Sequence, residues 1–472
     1  MILSNTYRLV LFGLIVFSGL FYCLVVPPFQ TPDEFNHNYK LHHLAQGHFF
    51  PEIDTPSVSL GGFVPKSLVD ISEYYKKMVF EPTNKLSFDT LKKHLSIPLN
   101  REEKAFVSFP NTARYAFTSY FALIPVVYIA DKMAINPMIT LYIGRVINFL
   151  VWFGLIVIGY RLLPVFKDFY LFLCLLPNTL SVHASMSADN INNGLLFILI
   201  ALFLDFKFSK KIVSTSKLIC YGIITLIVAW NKIIYFPLLF LLFLVPKPYF
   251  EKIKNRNAYI FSLLFGVLTI IFMWNKTVDK FVYPFDDTYK TTYHNLREDD
   301  YNPAAFININ PRLQMDIIKK EPISFIITFI PAVFEMYSYN NKDYVSGVGW
   351  DSVHIHIVLH VAFLVVFLLY ILTMPPVFLL KERRLMAFLA FAMSSLFLLS
   401  QHLHWDKVGR DINAVYLGKY FIAIYPLIFM GLMGLIHSKW KFKNLNLPLI
   451  VSIVLILAHI DMCFVTIDRF YE

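Results

Sequence analysis

Charged residues and cysteines are scarce in this sequence. Only 16% of its 472 residues are charged and 57% are hydrophobic, whereas soluble globular proteins average about 25% charged and ~45–50% apolar residues. The 4 cysteines form no Cys-x-x-Cys pair and no Cys/His cluster, so the sequence suggests neither a disulfide framework nor a zinc site. Glycine-rich phosphate loops and internal repeats are also missing, which removes the usual signs of a nucleotide-binding loop or a repeat protein.

Long apolar blocks are what the sequence has in excess, as in Leu9–Val26, Phe261–Trp274, Ile355–Met374 and Leu447–Val465. Such blocks are typical of helices that cross ~30 Å of hydrocarbon. We therefore predict an all-α integral membrane protein embedded in a lipid bilayer. The first block could also be a cleavable signal peptide, but no small-residue cleavage pattern follows it, and we expect it to remain as the first span.

The net charge of +10 would raise nucleic acid as a partner for a soluble protein. Here most Lys and Arg residues occupy short loops between apolar blocks, so membrane orientation explains the charge and we expect no nucleic-acid partner. Positive loops stay in the cytoplasm, which places the N-terminus inside. The basic loops all fall on the cytoplasmic side only if Tyr115–Ala130 lies along the outer surface instead of crossing the membrane. Ile323–Met336, which is short and follows a proline, is predicted to be a second surface helix.

This threading predicts about eleven spans, at Leu9–Val26, Ile139–Tyr160, Phe169–Ser185, Ile191–Phe206, Leu218–Trp230, Ile233–Val245, Ala258–Trp274, Ile355–Met374, Leu385–Leu399, Tyr420–Ile436 and Leu447–Val465. It divides the chain into a first span (1–27), a large outer loop with juxtamembrane helices (28–138), spans two to seven (139–274), a second outer loop with a surface helix (275–354) and spans eight to eleven (355–472).

Acidic residues collect in the predicted outer turns. Asp33 and Glu34 follow the first span, and adjacent carboxylates there could supply a general base or simply cap the next helix. Asp189 and Asn190 lie in a polar turn between two apolar blocks, because one helix over Leu171–Ala201 would be ~45 Å long. Asp189 could cap the helix that follows or belong to a functional site, and both interpretations stay open.

Cations occupy the same predicted side: Arg145, Lys232, Arg410 and Lys419. Arg145 could bind phosphate through its guanidinium group or extend to lipid headgroups. Lys232 sits in a turn so short that a phosphate partner is favoured over extension of the side chain to lipid headgroups. Four outer cations beside outer acids indicate one cleft that binds an anion.

Two aromatic motifs lie near the same face. Trp350, beside Asp351, could anchor the chain at the membrane interface or stack on a sugar ring. His402 and His404 do not share a helix face, so a metal held by this pair is not expected.

Several motifs together resemble the bacterial membrane-protein family called domain of unknown function 2142, within the GT-C glycosyltransferase superfamily. They are Pro32-Asp33-Glu34-Phe35-Asn36-His37, Ile143-Gly144-Arg145-Val146-Ile147-Asn148, Leu176-Pro177-Asn178, Ser185-Met186-Ser187-Ala188-Asp189, Ala229-Trp230-Asn231-Lys232, Gly349-Trp350-Asp351 and Leu417-Gly418-Lys419-Tyr420-Phe421. In the last motif the family usually has Gln-Gly-Arg-Tyr. A lysine in place of arginine keeps the charge but loses the fork geometry.

The resemblance implies a GT-C-like helix bundle in a bacterial cytoplasmic membrane, with an inverting transfer of sugar from a polyprenyl-phosphate donor to a glycan or lipid acceptor of the cell envelope. From this resemblance, we expect Asp33 to be the catalytic base and Glu34 to be its neighbour or a metal ligand. Arg145, Lys232, Arg410 and Lys419 would bind the donor phosphate, and further residues would orient the substrate: His37, Asp189, Asn190, Trp350 and Asp351. No cofactor is certain, and Mg²⁺ or Mn²⁺ stays open because only some superfamily members need a metal. The alternatives are a polysaccharide polymerase or ligase that uses a lipid-diphosphate-linked glycan, and a lipid-sugar flippase or transporter.

Overall fold

The computed structural model describes residues 5–54, 59–79, 81, 83–253, 255–282, 310–338, 345–350, 352–412, 418–433 and 446–472. The described part before residue 137 forms α1 (Asn5–Val25), α2 (Glu34–Ala45), β1 (Glu52–Asp54), β2 (Ser59–Pro65), α3 (Lys66–Lys76), α4 (Phe88–Leu95), β3 (Lys104–Ser108), α5 (Pro110–Ala113) and α6 (Ile124–Lys132), with a 3-10 turn at Phe117–Tyr120.

The remaining described residues are also helical. They form α7 (Pro137–Leu162), α8 (Lys167–Cys174), α9 (Pro177–His183), α10 (Asp189–Phe208), α11 (Thr215–Asn231), α12 (Arg256–Val282), α13 (Pro311–Lys320), α14 (Pro322–Ser338), α15 (Ile357–Thr373), α16 (Leu380–His404), α17 (Tyr425–Leu432) and α18 (Leu447–Phe470). 3-10 helices cover Ile233–Leu244, Lys247–Ile253 and Gly418–Phe421.

Among the described helices, 6 are long and apolar enough to cross a membrane. They are α1, α7, α10, α12, α16 and α18. This supports an integral membrane protein that is mostly helical. The count of about eleven spans stays a prediction, because the other predicted blocks form shorter or interrupted helices.

Prolines explain two of these interruptions. The block Phe169–Ser185 is split into α8 and α9, with Pro177 at the first position of α9, where the missing N–H does least harm. The block Ile233–Val245 forms a 3-10 helix that contains Pro237, since proline removes an intrahelical hydrogen bond.

The segment predicted to lie on the outer surface is too short to cross a bilayer. Tyr115–Ala130 contains a 3-10 turn and α6, whose 9 residues extend only ~14 Å. The other predicted surface helix, Ile323–Met336, falls within α14. The positions of both segments relative to the membrane stay predictions.

The first large loop contains a small antiparallel sheet that the sequence analysis did not predict. Its strand order is β1-β2-β3, with Glu52 opposite Gly61 and Gly61 opposite Ser108. Its strands are short, and the side chains of Phe63 and Phe106 meet edge to face across it. The sheet packs against α2 and so fixes the position of the residues that follow α1.

Helices α7 and α10 pack side by side and run in the same direction. In the middle of α7, the Asn148 amide donates 2.9 Å to the carbonyl oxygen of Ser187, just before α10 begins. A turn earlier, a Cβ atom at Gly144 would lie 2.7 Å from the Met186 side chain, so glycine lets the polar turn before α10 approach α7. Both helices start at the end of the bundle that carries Asp33, which we call the Asp33 end.

Candidate functional site

An ion pair joins the first large loop to a late segment of the chain. The Lys419 ammonium group lies 2.5 Å from Oδ2 of Asp33, and the Asn111 amide donates 2.7 Å to Oδ1. Asp33 precedes α2 in a left-handed conformation (φ 67°) and makes no side-chain cap hydrogen bond. The capping explanation for Asp33 is therefore wrong, because its carboxylate faces Lys419 instead of the helix N-terminus.

A second ion pair lies beside the first. The Lys232 ammonium group donates to Oδ1 of Asp189, and both side chains are buried. Asp189 is the first residue of α10, and the Ser187 hydroxyl oxygen accepts its N–H at 3.1 Å. Asp189 therefore does not cap the helix, and Lys232 is turned into the protein instead of toward lipid headgroups.

One aromatic ring connects the two pairs. The ammonium groups of Lys232 and Lys419 lie 5.1 Å and 5.2 Å from the centroid of the Tyr420 ring. Lys232 also lies 5.6 Å from the centroid of the Tyr115 ring. A ring face attracts cations, so Tyr420 holds both lysines in one small volume. We call Asp33, Asp189, Lys232, Lys419 and Tyr420 the paired-charge cluster.

Neighbouring charges within the cluster shift the pKa values of Asp33 and Lys419, which lie outside the candidate membrane-spanning helices. Burial by itself would raise the pKa of Asp33, but the charge of Lys419 outweighs this and holds that pKa below its usual value. Burial would lower the pKa of Lys419, but Asp33 and Asp189 outweigh it and raise that pKa. Each charge of the Asp33–Lys419 pair thus stabilises the charged form of the other.

His37 lies at the edge of the cluster as a neutral group. Burial lowers its pKa to about 4, even though the charge of Asp189 opposes this. Its Nδ1 atom lies 2.7 Å from the Tyr120 hydroxyl group and its Nε2 atom 3.3 Å from the Ser187 hydroxyl group. As a neutral imidazole, His37 can donate one hydrogen bond and accept another, but it does not add positive charge at neutral pH.

Glu34 and Arg145 form a separate and fully buried pair. Both Glu34 oxygens accept from the guanidinium group, at 2.8 Å and 2.5 Å, and each also accepts a backbone N–H, from Met186 or Phe29. The other Arg145 donors reach the carbonyl oxygens of Cys23, Val26 and Pro27. All five guanidinium donors are thus used, so phosphate binding by Arg145 would require breaking one of these bonds.

The other predicted residues are more dispersed. The Asn190 amide donates 2.5 Å to the His183 carbonyl oxygen. The Trp350 ring stacks on Phe35 with centroids 5.9 Å apart, next to the loop that carries Asp33. Arg410 is exposed, unlike the lysines of the paired-charge cluster. Asp351 lies outside the described residues, as does Leu417 of the last motif.

Sequence reasoning missed the aromatic and neutral polar members of this site. The sequence places Tyr420 in a motif and at the start of a predicted span, Tyr115 at the start of an apolar segment and Ser187 in the motif before Asp189, but it assigns none of them a role. Asn111 has ordinary loop character, so nothing in the sequence separates it from other polar loop residues. The adjacency of Tyr420 to Lys419 is the one signal that could have identified a partner.

A very small pocket lies next to one member of the cluster in the part of the chain that the structure describes. A pocket beside Lys419 has a volume of about 10 Å³ and is lined by Pro32, Asn178, Ser181, Val182, Gly347, Gly418 and Lys419. This holds about one water molecule. A metal at Asp33 or Asp189 would have to displace the lysine that each carboxylate binds, so the prediction of Mg²⁺ or Mn²⁺ stays open.

Comparison with known proteins gives one finding. A family model described as a predicted membrane protein (DUF2142) matches residues 16–428. A search of curated proteins and a search of solved structures each found no match. The matched range includes every member of the paired-charge cluster and the Glu34–Arg145 pair.

Proposed function

Because the chain belongs to the DUF2142 family of predicted membrane proteins, we propose that it performs its chemistry in the membrane, as a GT-C-type glycosyltransferase. It transfers a sugar from a polyprenyl-phosphate donor to a glycan or lipid acceptor of the bacterial cell envelope. The donor tail lies between the helices of the bundle and its phosphosugar enters the Asp33 end, which faces the outer side of the membrane.

The paired-charge cluster is the observation that supports this proposal. A polyprenyl-phosphate sugar carries one negative charge on its phosphodiester, and the departing polyprenyl phosphate carries two. Lys232 and Lys419, held over one ring, match the charge that develops as the leaving group departs. Fixed charges in a site that excludes water stabilise such a transition state more than they would in bulk water.

The transfer is a single displacement. The acceptor hydroxyl oxygen forms a bond to the anomeric carbon while the bond between that carbon and the phosphate oxygen breaks. The electron pair of the broken bond leaves with the polyprenyl phosphate, and the hydroxyl proton passes to Asp33. The anomeric configuration inverts, and general-base help of this kind is worth ~10²–10⁴-fold in rate.

Donor binding would also switch on the base. Asp33 is a weak base while Lys419 holds its pKa low. A donor phosphate competes with Asp33 for the Lys419 ammonium group, and loss of that neighbouring charge raises the carboxylate pKa in a buried site. The closed ion pair is then the resting state, and the base becomes effective only when the donor is present.

Glu34 is less suited to this role than Asp33. Each of its oxygens already accepts two hydrogen bonds, and its pairing with Arg145 fixes the loop on which Asp33 stands. Trp350 stacks on Phe35 beside that loop, where aromatic faces could receive the acceptor sugar. His37 and Asn190 would orient the bound groups through hydrogen bonds.

A direct test is sugar transfer by the purified protein in liposomes. Radiolabelled polyprenyl-phosphate sugars serve as donors, and a membrane glycolipid extract serves as the acceptor. We expect polyprenyl phosphate release that depends on the acceptor and is lost in Asp33→Asn. The matched control is Asp70→Asn, which changes an exposed acid on α3 that pairs with Lys66 and should leave transfer unchanged.

Two results would redirect the proposal. Full transfer by Asp33→Asn would remove the proposed base. Turnover only of diphosphate-linked glycans would favour a polymerase or ligase, and movement of the labelled lipid across the bilayer without transfer would favour a flippase. Analysis of surface glycans in a deletion strain would then identify the sugar that is missing.

A further inference from the structure

Three potential metal ligands converge where α2 meets the small sheet. His43 lies in the last turn of α2, and the chain then reverses through Gly47 (φ 90°). The His48 N–H closes this turn by donating 3.1 Å to the His43 carbonyl oxygen. β1 then begins at Glu52, so the three ligands come from one stretch of ten residues that is fixed at both ends by regular structure.

The distances among these ligands suit a transition-metal ion. His43 Nε2 lies 3.0 Å from Glu52 Oε1, and His48 Nδ1 lies 3.8 Å from the same oxygen. One ligand atom from each residue lies within 4.8 Å of the other two. In tetrahedral zinc sites the ligand atoms are ~2.0–2.2 Å from the metal, which places them ~3.3 Å from each other.

The three ligand side chains differ in burial, so His43 is held in place whereas His48 and Glu52 are able to rotate. The His43 side chain is fully buried, whereas His48 and Glu52 are 51% and 38% exposed. A Cβ atom at Gly62 would lie 2.5 Å from Nε2 of His43, so any larger residue at this position of β2 would crowd the ligating edge of this imidazole. An ion can enter from the exposed side, and coordination requires the exposed His48 ring, which stacks on His43 with centroids 4.9 Å apart, to turn its Nδ1 atom toward the ion.

We propose that His43, His48 and Glu52 bind a divalent transition-metal ion, with Zn²⁺ the best match, in a site separate from the paired-charge cluster. Two imidazoles and one carboxylate suit zinc better than magnesium or calcium, which prefer oxygen ligands. A water molecule would complete the coordination on the exposed side. The cysteine pattern gave no hint of this site, because none of its ligands is a cysteine.

The position of the site separates it from the proposed chemistry. His43 lies ten residues beyond Asp33, which is ~15 Å along a helix. An ion there would tie the end of α2 to β1 and so brace the loop that carries Asp33 and Glu34. The proposal does not depend on the proposed glycosyl transfer.

The cation nearest in sequence is Lys40, which is one helical turn before His43 and donates 3.2 Å to the Phe49 carbonyl oxygen. Burial lowers the pKa of Lys40 to about 7, so a large share of this group is uncharged at neutral pH. Its repulsion of a bound ion is correspondingly reduced.

Zinc binding by the full-length protein in detergent provides the test. Metal is first removed with a chelator, and Zn²⁺ is then titrated against a chromophoric competitor. We expect one tight site per chain. His48→Gln should weaken it by more than ~10–100-fold, since even the loss of a group behind a ligand has that effect. His48 is half exposed, so the variant should fold.

The matched control is His356→Gln, which removes an exposed histidine that pairs with Asp461 and should leave zinc affinity unchanged. Glu52→Gln should weaken binding as His48→Gln does, and Co²⁺ bound to the wild-type protein should show the visible absorption of a four-coordinate ion. Equal zinc affinity in the wild type, His48→Gln and His356→Gln would overturn the proposal. Zinc binding that survives while transfer fails would leave this site standing and reject only the proposed function.

Discussion

The ammonium nitrogen of Lys419 lies 2.5 Å from the Asp33 carboxylate although 386 positions separate the two residues in the chain. Both side chains are largely buried, with 5% and 13% of their surfaces exposed. A buried charge without a partner is expensive, so each residue requires the other in the absence of substrate. In the proposed function, a donor phosphate would compete with Asp33 for Lys419 and so open this pair.

Replacing Lys419 should change the pH dependence of transfer. Asp33 must be ionised to act as a base, and Lys419 keeps its pKa below the usual value. In Lys419→Gln burial is no longer opposed by that charge, so the pKa of Asp33 rises. We expect the acidic limb of kcat/KM, which reports the free enzyme, to move to higher pH.

Lys419→Arg is the matched control for this experiment. It restores the residue that the resemblance leads us to expect at this position and keeps the positive charge beside Asp33. Its acidic limb should stay near that of the wild type, and its affinity for the donor should be at least as high because a guanidinium group can bind phosphate through two bonds. An unchanged acidic limb in Lys419→Gln would show that Asp33 is not the titrating base.

Lys232 should contribute mainly to the chemical step. It shares the Tyr420 ring with Lys419, and in the proposed function it would face the charge that develops on the departing phosphate. We expect Lys232→Met to lower kcat by ~10²–10³-fold, the cost of removing one preorganised donor from a developing oxyanion. Steady-state kinetics with a polyprenyl-phosphate sugar would measure this effect.

Lys217→Met provides the comparison, because Lys217 pairs with Asp205 near the opposite end of α10 and should not affect kcat. A rise in KM at constant kcat in Lys232→Met would contradict a role in the transition state. Lys232 would then bind the donor equally in the ground state and the transition state.

The Glu34–Arg145 pair should govern stability more than rate. Glu34→Gln leaves a fully buried guanidinium group without its counter-charge, and breaking such a pair costs about 3–5 kcal/mol. We expect a large loss in the free energy of unfolding, measured by thermal or denaturant unfolding in detergent. Asp205→Asn, which disrupts a partly exposed pair, should cost only ~0–1 kcal/mol.

A second substitution distinguishes lost pairing from general damage. Glu34→Gln combined with Arg145→Met removes both charges, so part of the stability should return. Recovery should be incomplete because Arg145 also donates to three carbonyl oxygens. If Glu34→Gln is no less stable than Asp205→Asn, the pair does not hold the loop in place.

The sequence predicted the site better than it predicted the contacts within it. The distribution of basic loops along the sequence placed four residues on the same predicted side of the membrane: Asp33, Asp189, Lys232 and Lys419. The structure brings these four together. It could not show which acid pairs with which lysine, because a pairing across 386 positions depends on tertiary packing. Arg145 shows the same limit, since its partners include three backbone carbonyl oxygens that no side-chain pattern reveals.

The fold, too, could be predicted only in part from the sequence. The apolar blocks coincide with helices in the described residues because hydrophobic length is a strong signal. The break at Pro177 and the short sheet with Gly61 and Gly62 were missed, since strands of 3 to 7 residues give little periodicity. The position of Glu52 beside His43 depends on that sheet, which explains why the proposed metal site has no counterpart in the sequence analysis.

The orientation of the bundle can be tested by cysteine labelling. In a variant without Cys23, Cys174, Cys220 and Cys463, single cysteines are placed at the exposed positions Glu102 and Lys210. We expect a membrane-impermeant maleimide to label position 102 but not position 210 in spheroplasts, because the basic loop around Lys210 should lie in the cytoplasm. Permeabilised membranes provide the control, since both positions should then react.

Labelling at position 210 but not at position 102 in spheroplasts would reverse the predicted orientation of the bundle. Asp189 starts α10 beside Asp33, whereas Lys210 follows the last residue of the same helix, so the two lie at opposite ends of a 20-residue helix that is ~30 Å long. Labelling of position 210 from outside would place the paired-charge cluster in the cytoplasm. The cluster would keep its geometry, but its substrates would then have to come from the cytoplasmic leaflet, and transfer at the outer face would be excluded.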